Sequence, residues 1–194
     1  MSLMIFCNAI YFYLMLTSWK HNFKTMISLK DRELSFLLSI GSIGNALGKA
    51  LTGLLLLKLN FKVLYISSNC LIVIYALTFN VVMASAGNIV TASAYLGSAF
   101  FGLGMTMTMF PTACMKVFGG SIGSKVYPIL YFCFALSNIA AYLFYKHVEN
   151  TKVLFTMMGL FASIGIIACI IFELNPTWAK STEAKSSIGM ELTE

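Results

Sequence analysis

The sequence predicts an all-α, polytopic membrane protein with six transmembrane helices. Three observations carry that expectation. Of 194 residues, 59% are hydrophobic and only 10% charged, whereas soluble domains carry about a quarter charged. Residues 63–115 contain no charged side chain, a run too long for one span of ~20 residues. Apart from Lys49, the charges gather in short clusters between apolar stretches of spanning length.

The elements follow in order. Residues 1–19 are uncharged and rich in Tyr, Phe, Leu and Met. They lack the basic start and small-residue cleavage site of a signal peptide, so they read as a first span. Residues 20–33 form a polar connection with Lys20, Lys24, Lys30, Asp31, Arg32 and Glu33. A second span is expected over 34–57. Turn chemistry at Ser85-Ala86-Gly87-Asn88 divides the uncharged run into a third span, 63–84, and a fourth, 89–115. The fourth carries Gly97, Gly102, Gly104 and Pro111; packing between helices is the plainer use of such residues and a cavity-lining bend the sharper one. After a glycine-rich loop at 116–125 comes a fifth span, 126–145, and after a charged loop a sixth, 153–172. The membrane domain is thus 1–173. The tail, 174–194, is rich in Ser, Thr, Lys and Glu, the composition of a disordered segment.

The stretch that organises the rest is SIGSIGNALGKALTGLLLLKLNFK, residues 39–62. It holds one charge inside the second span, Lys49. A lysine within a span costs roughly 2.5–3.5 kcal/mol on insertion scales, so a chain that keeps one compensates for it. Asn45 lies four residues earlier and Ser42 seven, which places all three on one helical face. That polar stripe reads as a site for an anion in a water-filled crevice. The alternative is a lysine that snorkels its amine to the interface. Gly41, Gly44 and Gly48 have the spacing that lets a neighbouring helix approach closely. Tyr131, Ser137 and Asn138 of the fifth span are weaker candidates to line the same path.

Other chemistry is sparse. The five cysteines, Cys7, Cys70, Cys114, Cys133 and Cys169, fall singly in apolar segments, without ligand spacing or a disulfide framework. His21 and His147 lie in loops beside other charges. With no nucleophile–base pair, metal spacing or nucleotide loop, the chain is not expected to be an enzyme, and no cofactor is implied. A net charge of +6, spread along the chain, does not point to nucleic acid. The positive-inside rule leaves orientation undecided. One side collects Lys58, Lys62, Lys116, Lys125, Lys180 and Lys185; the other collects Lys20, Lys24, Lys30, Arg32, Lys146 and Lys152.

Three motifs together, NFKTMISLKDRELS, the 39–62 stretch and FFGLGMTMTMFPTACMKVFGGSIGSKVYPILYF, resemble the C-terminal half of the major facilitator superfamily. The nearest families are the oxalate:formate antiporters and the monocarboxylate transporters. The resemblance covers about residues 1–173 and implies one half of a twelve-helix transporter. It places the 58–62 loop, the 116–125 loop and the tail in the cytoplasm. The substrate-binding basic residue of these families, usually arginine, is matched by Lys49. Lysine keeps the charge but not the bidentate fork. The titrating aspartate of the proton-coupled carriers is matched by Asn45. No Asp or Glu falls within the expected spans, so exchange or facilitated movement fits better than proton coupling. Where the oxalate carriers place a second basic residue, this chain has Ser137 and Asn138; one cation favours a monoanion.

The expected function is therefore membrane transport of small organic anions, monocarboxylate-like, by alternating access between two six-helix halves. Lys49 would be the counter-charge and Asn45 a donor. The expected partners are the lipid bilayer, the anion, and either a missing N-terminal half or a second copy. The start at Met1, directly in a helix, favours a fragment of a longer transporter over self-pairing. From another functional class comes the alternative of a non-transporting membrane assembly or interaction subunit derived from a transporter fold.

Overall fold

A computed structural model describes residues 1–148 and 150–172. All regular structure among them is helical. The helices are α1 (Ser2–Ile27), α2 (Asp31–Leu55), α3 (Phe61–Ala86), α4 (Ile89–Gly119), α5 (Ile122–His147) and α6 (Thr151–Ile171). Each is long and apolar enough to cross a membrane. The tail expected to be disordered lies outside the described residues.

The connections are shorter than the charge clusters suggest. α1 continues through Lys20 and Lys24 to Ile27, and Ser28 ends it in the left-handed conformation, φ 51°. Only residues 28–30 separate it from α2. There the Lys30 backbone N–H donates to the Glu33 carboxylate at 2.8 Å, which satisfies one of the free donors of a helix start. Lys24 pairs with Asp31 across the turn at 3.7 Å. Between α3 and α4 the turn falls at Gly87-Asn88. Asn88 caps α4, its Oδ1 accepting from the Thr91 N–H at 2.9 Å and the Thr91 hydroxyl at 3.1 Å.

The 116–125 loop contracts to a single break. α4 stays helical through Pro111 and ends at Gly119, whose φ of 75° and ψ of 166° suit glycine alone. α5 then starts hard against the end of α4: a Cβ on Gly123 would lie 2.7 Å from the Cys114 carbonyl oxygen. At this same end of the bundle, two lysines meet helix C-termini. Lys62 Nζ lies 3.1 Å from the Ile170 carbonyl and Lys116 Nζ 3.5 Å from the Leu56 carbonyl, the favourable pole for a cation.

α1 is the central helix, buried on successive residues from Cys7 to Phe12, as expected of a helix that is apolar all round. α3 and α6 pack together, with Phe79 and Phe155 stacked at 4.1 Å. α2 leans on α4, and α2 and α5 are the least covered of the six. Those two exposed helices carry most of the residues singled out above.

Candidate functional site

The α2–α4 seam is built from glycine. Gly41 faces the ring of Phe100; a Cβ there would lie 3.2 Å from it. A Cβ on Gly44 would run into the Gly97 carbonyl, one on Gly48 into the Phe101 carbonyl, and one on Gly104 into the Asn45 carbonyl. The small-residue spacing thus has a definite partner, and the two backbones touch.

At 100° per residue, this seam splits the remaining surface of α2 into two flanks. One carries Phe36, Ile43, Leu47 and Leu54, all exposed; in a bilayer this is a lipid face. The other carries Ser35, Ser42, Asn45 and Lys49. Ser42 is exposed and donates to the Leu38 carbonyl at 2.9 Å. Asn45 is half-buried against Gly104, and its Oδ1 is shielded without a hydrogen-bond partner among the described residues. Lys49 is exposed. Among the described residues the polar flank of α2 is left open at Ser42 and Lys49, both exposed. Lys49 lies six residues before Leu55, about 9 Å from that helix end. Its Cβ leans towards the helix N-terminus, that is, back towards the middle of the span.

α5 divides in the same way. Ile129, Phe132, Leu136 and Ile139 form an exposed apolar flank, while Tyr131 and Asn138 stand on the other. The Tyr131 hydroxyl lies 3.6 Å from the Met107 sulfur, and its ring stacks on Phe134 at 5.3 Å. Asn138 is half-buried. Ser137 is separated from this group: it is fully buried, and its hydroxyl is satisfied by the Phe134 carbonyl at 2.7 Å. Its surroundings are those of helix packing.

Gly104 and Met107 are three residues apart on α4, so they share one side of that helix. Asn45 approaches the first and Tyr131 the second. The polar flanks of α2 and α5 therefore border the same stretch of α4 from either side, with Lys49 one turn along from Asn45. Polar groups therefore stand on either side of a stretch of α4 that contains glycine and methionine.

Two features escaped sequence reasoning. Behind Tyr131, a cavity between α1, α4 and α5 is lined by Asn8, Phe12, Thr106, Phe110 and Phe134. Asn8 donates to the Met4 carbonyl at 2.9 Å and to the Tyr65 hydroxyl. A lone amide in an apolar helix was the available signal, but nothing local shows that it meets a tyrosine of another helix. The second is a cavity at the opposite end of α5, with Ser18, His21, Asn22, Lys146 and Thr151 in its lining.

Comparison with family models, with curated proteins and with solved structures returns no match.

Proposed function

We propose that this chain is an integral, multi-pass membrane protein and provides one six-helix half of a transporter for small organic anions, in the manner of monocarboxylate exchange. Alternating access works by rocking two such units about a site at their interface. The observation that carries the reading is the convergence of two polar flanks, Ser42–Asn45–Lys49 and Tyr131–Asn138, on one side of α4, while the opposite flanks are apolar. A face of that kind is unsuited to lipid and suited to a second six-helix unit with an anion between. Lys49 supplies the counter-charge, Asn45 and Tyr131 supply hydrogen bonds, and the glycine seam holds α2 in position.

The test is uptake of a labelled monocarboxylate into vesicles containing the full chain. Lys49→Ala should abolish it while insertion and folding persist. Uptake that survives the substitution removes Lys49 from the mechanism.

The same exposed flank supports a second reading, a non-transporting assembly subunit whose polar face docks a partner's helix. A stable complex that gives no flux, and that Lys49→Ala dissociates, would favour it.

A further inference from the structure

α3 and α4 enclose a half-open groove of about 140 Å³. Ile74 and Thr78 of α3 and Tyr95 and Ser98 of α4 form its walls, with Tyr75 behind them. Leu71 and Ile74 in its lining are exposed. With the six helices in a bilayer, the groove therefore opens on lipid.

The hydroxyl protons on these walls have definite directions. Thr78 donates to the Ile74 carbonyl at 2.7 Å, and Ser98 to the Tyr95 carbonyl at 2.9 Å. A backbone carbonyl can only accept, so both protons are committed to the backbone. The Thr78 oxygen is then an acceptor, and the Tyr95 hydroxyl donates to it at 2.8 Å. Tyr75 donates to the Met15 sulfur at 3.4 Å. The Tyr11 hydroxyl at the floor is shielded and takes no part. What remains on Tyr95, half-buried, and Ser98, exposed, is acceptor capacity.

That inventory selects the chemistry of the occupant. An acyl chain has no donor and leaves both oxygens unmet in hydrocarbon, which is costly. A phosphate or carboxylate would bring acceptors against acceptors. An alcohol supplies the missing proton. The polar end of the groove also lies towards the membrane surface: Tyr95 is six residues after Ile89 and Thr78 eight before Ala86, about 9 and 12 Å from those helix ends. From there the lining becomes apolar through Ile74 to Leu71, towards the middle of α3. The rings of Tyr75 and Tyr95, 5.3 Å apart, present a stiff wall, which suits a rigid body that loses little freedom on binding.

We propose that this groove binds a membrane lipid alcohol of the sterol type, whose hydroxyl donates to Tyr95 and Ser98. The groove takes the hydroxyl-bearing end, and the rest of the ring system lies along Ile74 and Leu71 in lipid. The inference rests on the chain spanning a bilayer and is independent of the transport reading.

The test uses the full chain in phosphatidylcholine discs with a cholesterol that carries a diazirine on its rings and keeps its hydroxyl. After illumination, labelled residues are mapped by mass spectrometry. Saturable labelling of the α3 and α4 segments that line the groove is expected, with unlabelled cholesterol competing. The corresponding 3-ketone, which can accept but not donate, should compete about fivefold less well, the size of one neutral hydrogen bond. Ser98→Ala should weaken labelling by a similar factor, and Ser98→Phe, which fills the mouth, should abolish it. Because Ser98 is exposed, both variants should fold. Val90→Phe, exposed on the same helix outside the groove, should change nothing. Labelling that does not saturate, equal competition by alcohol and ketone, or equal effects of Ser98→Phe and Val90→Phe would overturn the proposal. So would labelling that a phosphatidylcholine acyl chain displaces as well as cholesterol does.

Discussion

The Asn45 carbonyl on α2 rests directly on Gly104 of α4, where a single methyl group would not fit. That contact sets the height and rotation of α2, and with them the direction in which Lys49 faces. Between apolar helices in lipid, association depends on such close packing rather than on exclusion of water. Gly104→Val should therefore separate the pair and cost about 1–3 kcal/mol, the usual size of an overpacking penalty. Gly53→Ala, on α2 with nothing within 4 Å of an added Cβ among the described residues, should be neutral or gain up to about 1 kcal/mol of helix propensity. Unfolding titrations in mixed micelles would separate the two. Equal stability of both variants would show that the seam is not tightly packed.

A double-mutant cycle tests the contact of α3 with α6. A Cβ on Gly165 would lie 2.8 Å from the Tyr65 hydroxyl, closer than packing allows. Gly165→Ala alone should destabilise, and Tyr65→Phe alone should cost about 1 kcal/mol through its lost hydrogen bonds. The double variant should be less damaging than the sum, with a coupling of about 1 kcal/mol. Strict additivity would mean that the hydroxyl and the glycine are not neighbours.

Phe79 and Phe155 stack at 4.1 Å with their planes 11° apart. Phe155 is 1% exposed and Phe132 64%. In lipid, truncating a buried ring forfeits packing but little solvation. Phe155→Ala should cost about 2 kcal/mol, and Phe132→Ala should leave stability unchanged. A reversed order would mean that α5 turns its apolar flank inward.

If Lys49 provides the counter-charge, its sign matters more than its shape. Lys49→Arg should retain uptake of a monocarboxylate, and Lys49→Gln should lose it by a factor of ten or more, since one charge-assisted hydrogen bond is worth about 1.5–3 kcal/mol. Activity in Lys49→Gln comparable to the parent would assign the charge a structural role.

The six helices were legible because a bilayer-spanning segment needs ~20 apolar residues, and the charge clusters punctuate the chain at that interval. The turn at Gly87-Asn88 was legible from its residue types. The ends of α1 and α5 were not, since Lys20, Lys24 and Lys146 remain helical while lying where a hydropathy boundary would fall. Helices continue past an apolar stretch whenever their backbone bonds are satisfied internally.

By itself, then, the sequence determined the fold class, the number of helices, the isolation of one lysine on a polar stripe, and the glycine spacing that permits close approach. Tertiary structure alone decided which helix each stripe meets. It set Asn45 on Gly104 and Tyr131 beside Met107, withdrew Ser137 into the packing, left Lys49 open, and joined Asn22 to Thr151. Periodicity along a chain describes one helix at a time. The pairing of faces is a property of distances between helices, and no local pattern encodes them.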